Sequence, residues 1–469
     1  MLMTEISTPG ADVGETELDR AIGRARDALL SLQNEKGYWV GQLQGDSILQ
    51  SEYILMKFVL GQENDPEVPK IAAMLRSMQQ SDGGWNLFPG GPPDLSGTVK
   101  SCVALRLMGD DPKSPHMLAA KKACLDLGGA ENANSFSKFY FAALGQISYD
   151  ACPAIPPEIV FLPKWCYFNL YNVSSWTRVM ILPLGIVTTL RPVRQIPPER
   201  GMRDLYRNPA AADRLAEVPP GFPRTWRDFF LRVDQFLKAY NESPLPGLRQ
   251  RAMDEAMKWI LARMDNSEGL GAIFPSMIYM LIVFRILGYP DDHPRVVKAH
   301  KDLRDFFVPI DDMIRVQPCL SPVWDTGIAM HALAETGIEH NAPEIQSGVK
   351  WLLSKECRGA ADWSENCPHA DLEKTSSWFF EFSNPHYTDT DDTAMAAMSL
   401  CRLGGEAAAP SVERGKNWLL AMQNDDGGWA AFDRTTPRPI LEKIPFADHG
   451  VAAERAERGR QLWRDAGQL

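Results

Sequence analysis

Apolar positions recur at helical spacing along most of the chain. Leu18, Ile22, Ala25, Leu29 and Leu32 trace one face of a first helix, and the same period runs through residues 99–107, 180–190, 229–240 and 253–264. Alternation of period two, the mark of a strand, is scarce, so the pattern predicts an all-α fold. The longest apolar run, residues 272–284, contains Pro275 and Ser276 and stops at Arg285. It falls short of the roughly 18 apolar residues of a membrane span and reads as a buried helix.

Three helix ends share one arrangement: Gln33, Gly37, Trp39; Gln79, Gly83, Trp85; and Gln423, Gly427, Trp429. Such recurrence implies stacked supersecondary units. Gly permits a left-handed turn, Trp folds back as a large apolar contact, and the Gln amide bonds backbone groups nearby. A degenerate copy is expected at Asp362-Trp363, with Cys357 in the Gln place. The motif is structural, without a catalytic role.

The densest chemistry lies at Asp389-Thr390-Asp391-Asp392, just after the aromatic run Trp378-Phe379-Phe380-Glu381-Phe382. Met395, Met398 and Cys401 follow at helical spacing, so the acids are expected at a helix N-terminus with one buried face, ended by Gly404-Gly405. Helix capping accounts for such acids most simply. A calcium loop fails, because the sixth and twelfth positions from Asp389 are Ala394 and Leu400 rather than Gly and Glu. A magnesium site for a diphosphate would want a third acid near Met395, where there is none. An acid cluster beside aromatic rings remains, with no metal partner.

Composition narrows the field. The 469 residues suggest two or more domains, and 45% hydrophobic content is ample for large cores. A net charge of −11, without a basic stripe interleaved with aromatics, argues against nucleic acid. The eight cysteines are scattered and read as free thiols in a reducing compartment, and the isolated histidines His369, His386 and His449 offer no metal constellation. Residues 1–16 look disordered and lack the pattern of a signal peptide. Residues 191–224 carry seven arginines among seven prolines. They read as a solvated insertion or as a contact for anionic lipid headgroups.

The acid run resembles the Asp-x-Asp-Asp motif of class II terpene cyclases, specifically the bacterial squalene–hopene cyclases. Ser321-Pro322-Val323-Trp324-Asp325-Thr326, Gly269-Leu270-Gly271-Ala272-Ile273-Phe274-Pro275, Ser175-Trp176-Thr177-Arg178 and Ile444-Pro445-Phe446-Ala447-Asp448 resemble further family blocks, in the family's order. The resemblance implies two α/α barrels of toroid repeats. Residues 17–39 plus 319–450 would form the first, catalytic barrel, and 40–318 the inserted second one. It implies cyclisation of squalene to hopene or hopanol without a cofactor or metal. Squalene offers no polar handle, so the reaction must start by protonating an alkene. By the family's pattern Asp391 is the acid, and Asp389 and Asp392 support it by keeping its proton in place. Aromatic faces then hold the carbocation, each worth roughly 0.5–2 kcal/mol. The matching positions are Trp324, Phe380, Trp176, Phe432 and Phe136, with Ile273 and Pro275 shaping the far end. Asp325 reads as a structural partner at a helix start. The resemblance further implies monotopic contact with the cytoplasmic face of a bacterial membrane and leaves a homodimer open.

After Gly450 the likeness stops, and residues 451–469 form a tail of different composition. On that reading the first barrel is incomplete, Asp391 stands on an incompletely enclosed surface, and the chain alone forms no hopene. The alternatives are an inactive truncated cyclase fragment and a class II cyclase for another linear polyprenoid. A protein prenyltransferase subunit would need a zinc site of Asp, Cys and His, which the sequence lacks.

Overall fold

The computed structural model describes residues 16–445, apart from 217, 219, 220, 437, 439, 441 and 442. Pro219, Pro220, Phe446, His449 and the tail 451–469 therefore lie outside the described residues, as do residues 1–15. The chain is all-α. Its helices are α1 (Glu17–Ser31), α2 (Ser47–Leu60), α3 (Glu67–Ser77), α4 (Leu95–Leu107), α5 (Pro115–Asp126), α6 (Ser135–Ala143), α7 (Ser175–Leu190) and α8 (Trp226–Glu242). They continue as α9 (Leu248–Met264), α10 (Phe274–Ile286), α11 (Pro294–Arg304), α12 (Pro322–Glu335), α13 (Pro343–Ser354), α14 (Thr390–Leu403) and α15 (Gly405–Met422). The described strands form two small antiparallel pairs, β1 (Phe307–Ile310) with β2 (Met313–Val316), and β3 (Cys357–Arg358) with β4 (Ser376–Ser377).

Burial sorts the helices into inner and outer ones. Almost every residue of α2, α4 and α10 is buried, whereas α3, α5 and α11 each bury one face. A helix apolar all round must be enclosed by others, and an amphipathic one covers it from outside. One core draws on residues from Leu49 to Cys319, joined by Tyr387. A second combines Trp39 with residues from Val323 to Ala408. The first carries buried ion pairs, among them Lys100 Nζ to Glu52 Oε1 at 2.6 Å and Lys57 Nζ to Asp65 Oδ2 at 2.8 Å.

The Gln–Trp endings act as staples. Gln33 Nε2 donates to Gly37 O and Glu344 O, each at 2.9 Å, and Gln79 Nε2 likewise to Gly83 O and His116 O. Trp39, Trp85 and Trp429 each donate their indole N–H to a carbonyl ten residues earlier, at 2.7–2.9 Å. The Gly before each Trp sits at φ +95°, +90° and +85°. A Cβ at Gly37 would stand 2.3 Å from Ser347 Oγ, so the next helix docks directly on the glycine.

Three expectations change. The degenerate repeat ends at Trp378 rather than Trp363: Trp378 Nε1 donates to Leu352 O at 2.8 Å. The intervening segment, residues 356–377, loops out, and Trp363 packs edge-on against Trp418. This was invisible because the loop destroys the six-residue spacing. On α14 the buried face is Thr393, Ala396, Ala397, Leu400 and Leu403, while Met398 and Cys401 are exposed. Small residues let α12 and α15 approach closely, so size outweighs hydrophobicity there. Finally, five of the seven arginines in 191–224 have partners within the protein while staying partly exposed. Arg191, Arg194 and Arg203 pair with Asp150, Glu63 and Asp213, and Arg200 and Arg207 donate to the carbonyls of Leu107 and Leu125. That segment straps the first core rather than offering a free basic face.

Candidate active site

The fourth staple positions the acids. Trp378 N donates to Thr393 Oγ1 at 3.0 Å, and Asp389 N donates back to Trp378 O at 3.1 Å. The start of α14 is thus fixed against the aromatic run. Asp389 is the N-cap, and its Oδ1 accepts from Asp392 N at 2.8 Å. One buried carboxyl is thus also the helix cap.

The three acids differ. Asp389 and Asp392 are both buried, and the carboxyl of Asp389 accepts from the backbone of Asp392. Two buried carboxyls one turn apart disfavour each other's charge. Burial, more than anything else, pushes Asp389 up to about 7 and Asp392 well above the carboxylate range. Asp392 Oδ1 has no hydrogen-bond partner among the described residues. Asp391 is exposed as a residue, yet enough protein crowds its carboxyl to raise its pKa by desolvation. Nothing among the described residues groups three His, Cys, Asp or Glu side chains as a metal site.

The aromatic candidates divide. Phe380 is half-buried against the first core, and its carbonyl accepts from Val323 N at 3.2 Å, beside Trp324 on α12. Helix α12 packs on α14, which brings Trp324 and Phe380 to the acid-bearing helix. Trp176 and Phe432 meet with ring centroids 5.3 Å apart. They reach the cluster through Thr390, whose Oγ1 donates to the carbonyls of Ala430 and Ala431, and whose N–H also bonds Ala431 O at 3.1 Å. Ile273 is buried in the first core, while Pro275 opens α10. The adjoining Phe274 N is tied to Pro318 O at 2.9 Å. Phe136 sits on α6 against the same core. Asp325 Oδ2 accepts from Gly41 N and Ser321 Oγ, each at 2.7 Å, and so binds the segment after Trp39.

Sequence reasoning passed over a buried charge network behind Trp176 and Phe432. Arg178 Nη2 bonds Asp433 Oδ2 at 3.0 Å, next to Phe432, and Nη1 lies 3.8 Å from Asp362 Oδ2. Arg263 Nη2 bonds Asp362 Oδ1 at 2.5 Å. Asn366 Nδ2 reaches Asp433 Oδ2 at 3.3 Å. The network ties α7 and α9 to the second half of the chain and fixes the loop that carries Phe432. Its one sequence signal was Arg178 in the Ser-Trp-Thr-Arg block. Glu381 and Asn384 were also missed, although Glu381 stands within the aromatic run.

Residues 22–312 match the N-terminal domain of squalene-hopene cyclases, and residues 320–457 match the C-terminal domain, seven residues past the point where the likeness was expected to end. The squalene–hopene cyclase of Zymomonas mobilis is 34% identical over 448 residues, which cover 93% of this chain and 67% of that protein. That of Bradyrhizobium diazoefficiens is 33% identical over 446 residues, covering 94% and 67%. The squalene-hopene cyclase of Schizosaccharomyces japonicus is 34% identical over 455 residues, covering 95% and 69%. With both domains matched and the acid cluster, staples and aromatic blocks in one arrangement, the chain belongs to the squalene–hopene cyclase family.

Proposed function

We propose that the protein cyclises squalene to hopene or hopanol, with Asp391 as the acid that starts the reaction. The observation that carries this is the buried Asp389 and Asp392 flanking an accessible Asp391 at the start of α14. Asp391 gives its proton to the terminal alkene. A C–H bond forms from the alkene's π electrons, the O–H pair stays on the carboxylate, and a tertiary cation is left on the polyene. The N-terminus of α14 favours the carboxylate as it appears. Ring closures carry the cation along the chain past Trp324, Phe380, Trp176, Phe432 and Phe136, whose ring faces stabilise it. Ile273 and Pro275 shape the end of the path, where the last cation loses a proton or gains water. Asp391→Asn keeps the shape but has no proton to give. It should form no cyclised product from squalene, read by gas chromatography, with unchanged helical circular dichroism. Cyclisation at the parent rate would overturn the assignment.

We further propose that the protein docks on a lipid bilayer through an aromatic patch. Phe161, Leu162, Trp165 (87% exposed) and Phe168 on one segment meet Phe222 (91%), Trp226, Phe229 and Phe236 on and before α8, joined through Phe168 against Phe230. Exposed apolar groups on this scale mark an interaction surface, and Trp and Phe suit the membrane interface. No helix among the described residues is long and apolar enough to cross a membrane. Because the patch is apolar, vesicle binding should depend little on salt. Trp165→Ser with Phe222→Ser should release the protein from neutral phosphatidylcholine vesicles in flotation. Unchanged flotation of that variant would remove the patch from this role.

A further inference from the structure

Glu381 is a fourth carboxyl in the acid cluster and has no part in the reaction described so far. It is 3% exposed. Asn384 Nδ2 donates to its Oε2 at 3.1 Å and also to Gly271 O at 3.2 Å. Asn384 is itself buried, and its Oδ1 has no hydrogen-bond partner among the described residues. Among the titratable groups whose charges bear on Glu381 are Asp389 and Asp392 at the start of α14, Glu268 in the loop after α9, and the Cys319 thiol before α12. All of them are acids or a thiol. Lys355 bears on Glu268, but its Nζ donates to Phe382 O at 2.7 Å. Among the described residues no lysine or arginine forms an ion pair with Glu381, although it lies within the same fold as the paired Glu52.

We propose that Glu381 is a proton-holding member of the acid cluster: neutral and paired with Asn384, it keeps the protein behind Asp389 and Asp392 uncharged, so that Asp391 can become a carboxylate. This rests on the reading of Asp391 as the acid. A protonated Glu381 supplies the O–H that the unpartnered Asn384 Oδ1 lacks, completing a two-bond acid–amide pair. An ionised Glu381 would leave that oxygen unsatisfied and add an uncompensated buried charge. Burial pushes the Glu381 carboxyl well above the ordinary range, against the opposing Asn384 hydrogen bond, and the Asp389 charge adds to the rise. Glu381 thus acts through its neighbours, as a positioning residue for charge. Its ionisation would add a negative charge beside the pair and oppose a second one forming on Asp391.

Infrared spectroscopy of protein carrying 13C-labelled glutamate tests this. At pH 7 the parent should show the carbonyl stretch of a protonated glutamic acid, and Glu381→Gln should lose it, while Asp391→Asn keeps it. Glu381→Gln should also carry the alkaline limb of the squalene pH–activity profile upward by about one unit, a tenfold gain at that edge. No protonated-glutamate band in the parent at pH 7, or an identical band in Glu381→Gln, would overturn the proposal, and so would an unmoved alkaline limb. The parent spectrum decides even where the variant fails to fold. Cyclisation by Asp391→Asn would end the reading of that residue without touching the Glu381 band, so the two failures are distinguishable.

Discussion

The starts of α4 and α14 are built on one plan. At α4, Trp85 N bonds Thr98 Oγ1 at 3.0 Å, Asp94 N bonds Trp85 O at 2.7 Å, and Asp94 caps Gly97 N at 2.7 Å. At α14, Trp378, Thr393, Asp389 and Asp392 repeat every one of these contacts. The difference is confined to what fills the first turn. Ser96 and Gly97 stand where α14 has Asp391 and Asp392. Farther into α4, Lys100 meets Glu52, so that region neutralises a buried acid with a cation. At α14 no such cation is present among the described residues, and protons take its place. The comparison teaches that the staple is a neutral platform and that chemistry enters through two residues and the absence of a counter-ion.

The comparison breaks most sharply at the ion pair. Lys100→Met should cost about 3–5 kcal/mol, because it strands the Glu52 charge in the core. Urea unfolding at pH 7 measures it, and a loss below about 1 kcal/mol would mean that Glu52 is held neutral like the α14 acids.

At α14 the opposite behaviour is expected. Asp389 has a folded-state pKa of about 7 against an ordinary 3.8, so the folded state binds its proton more tightly. Its contribution is fully present below about pH 4 and declines as pH rises to about 7. Asp392→Asn removes the second acid of the pair and should flatten that decline, making the variant the more stable protein at pH 8. Melting curves from pH 4 to 8 read the slope. A parent whose stability rises across this range would contradict the raised Asp389 pKa.

Thr98→Val and Thr393→Val should each cost about 1–3 kcal/mol, since each strands a buried Trp N–H, and the two losses should agree within about 0.5 kcal/mol if the plans are equivalent. The smallest effect is expected at Trp429→Phe. Its indole bonds Leu419 O at 2.7 Å, as Trp85 bonds Leu75 O, but Trp429 is 46% exposed. Water replaces the lost partner there, so the cost should be under about 1 kcal/mol and below that of Trp85→Phe.

Local pattern made much of this legible. The helical period located α1, α4, α8 and α9, and the Gln–Trp spacing foretold the staples, because each depends on residues within one turn or one loop. Asp389-Thr390-Asp391-Asp392 announced the cap and the start of α14. Long-range geometry was not written locally. The Trp378 staple hides behind a loop of about twenty residues. The Arg178–Asp433 contact joins positions 255 apart, and neither residue carries a signal of the other. The arginines of 191–224 looked free because their acceptors, Glu63, Leu107 and Leu125, are distant in sequence. Glu381 read as one polar residue in an aromatic run, since burial without a cation is a property of the assembled interior.

The staple at Trp39 also has a consequence in time. Gln33 is bonded to Glu344 O across 311 residues, and Trp39 N to Thr326 Oγ1 across 287. Gln33 and Trp39 therefore wait for partners made at the starts of α13 and α12. At about 5–20 residues per second the wait is roughly 15–60 s. Meanwhile residues 49–319 can assemble most of the first core. Helix α1 is thus early in synthesis and late in folding, an apolar strip that nascent-chain binders would meet before the protein itself can claim it.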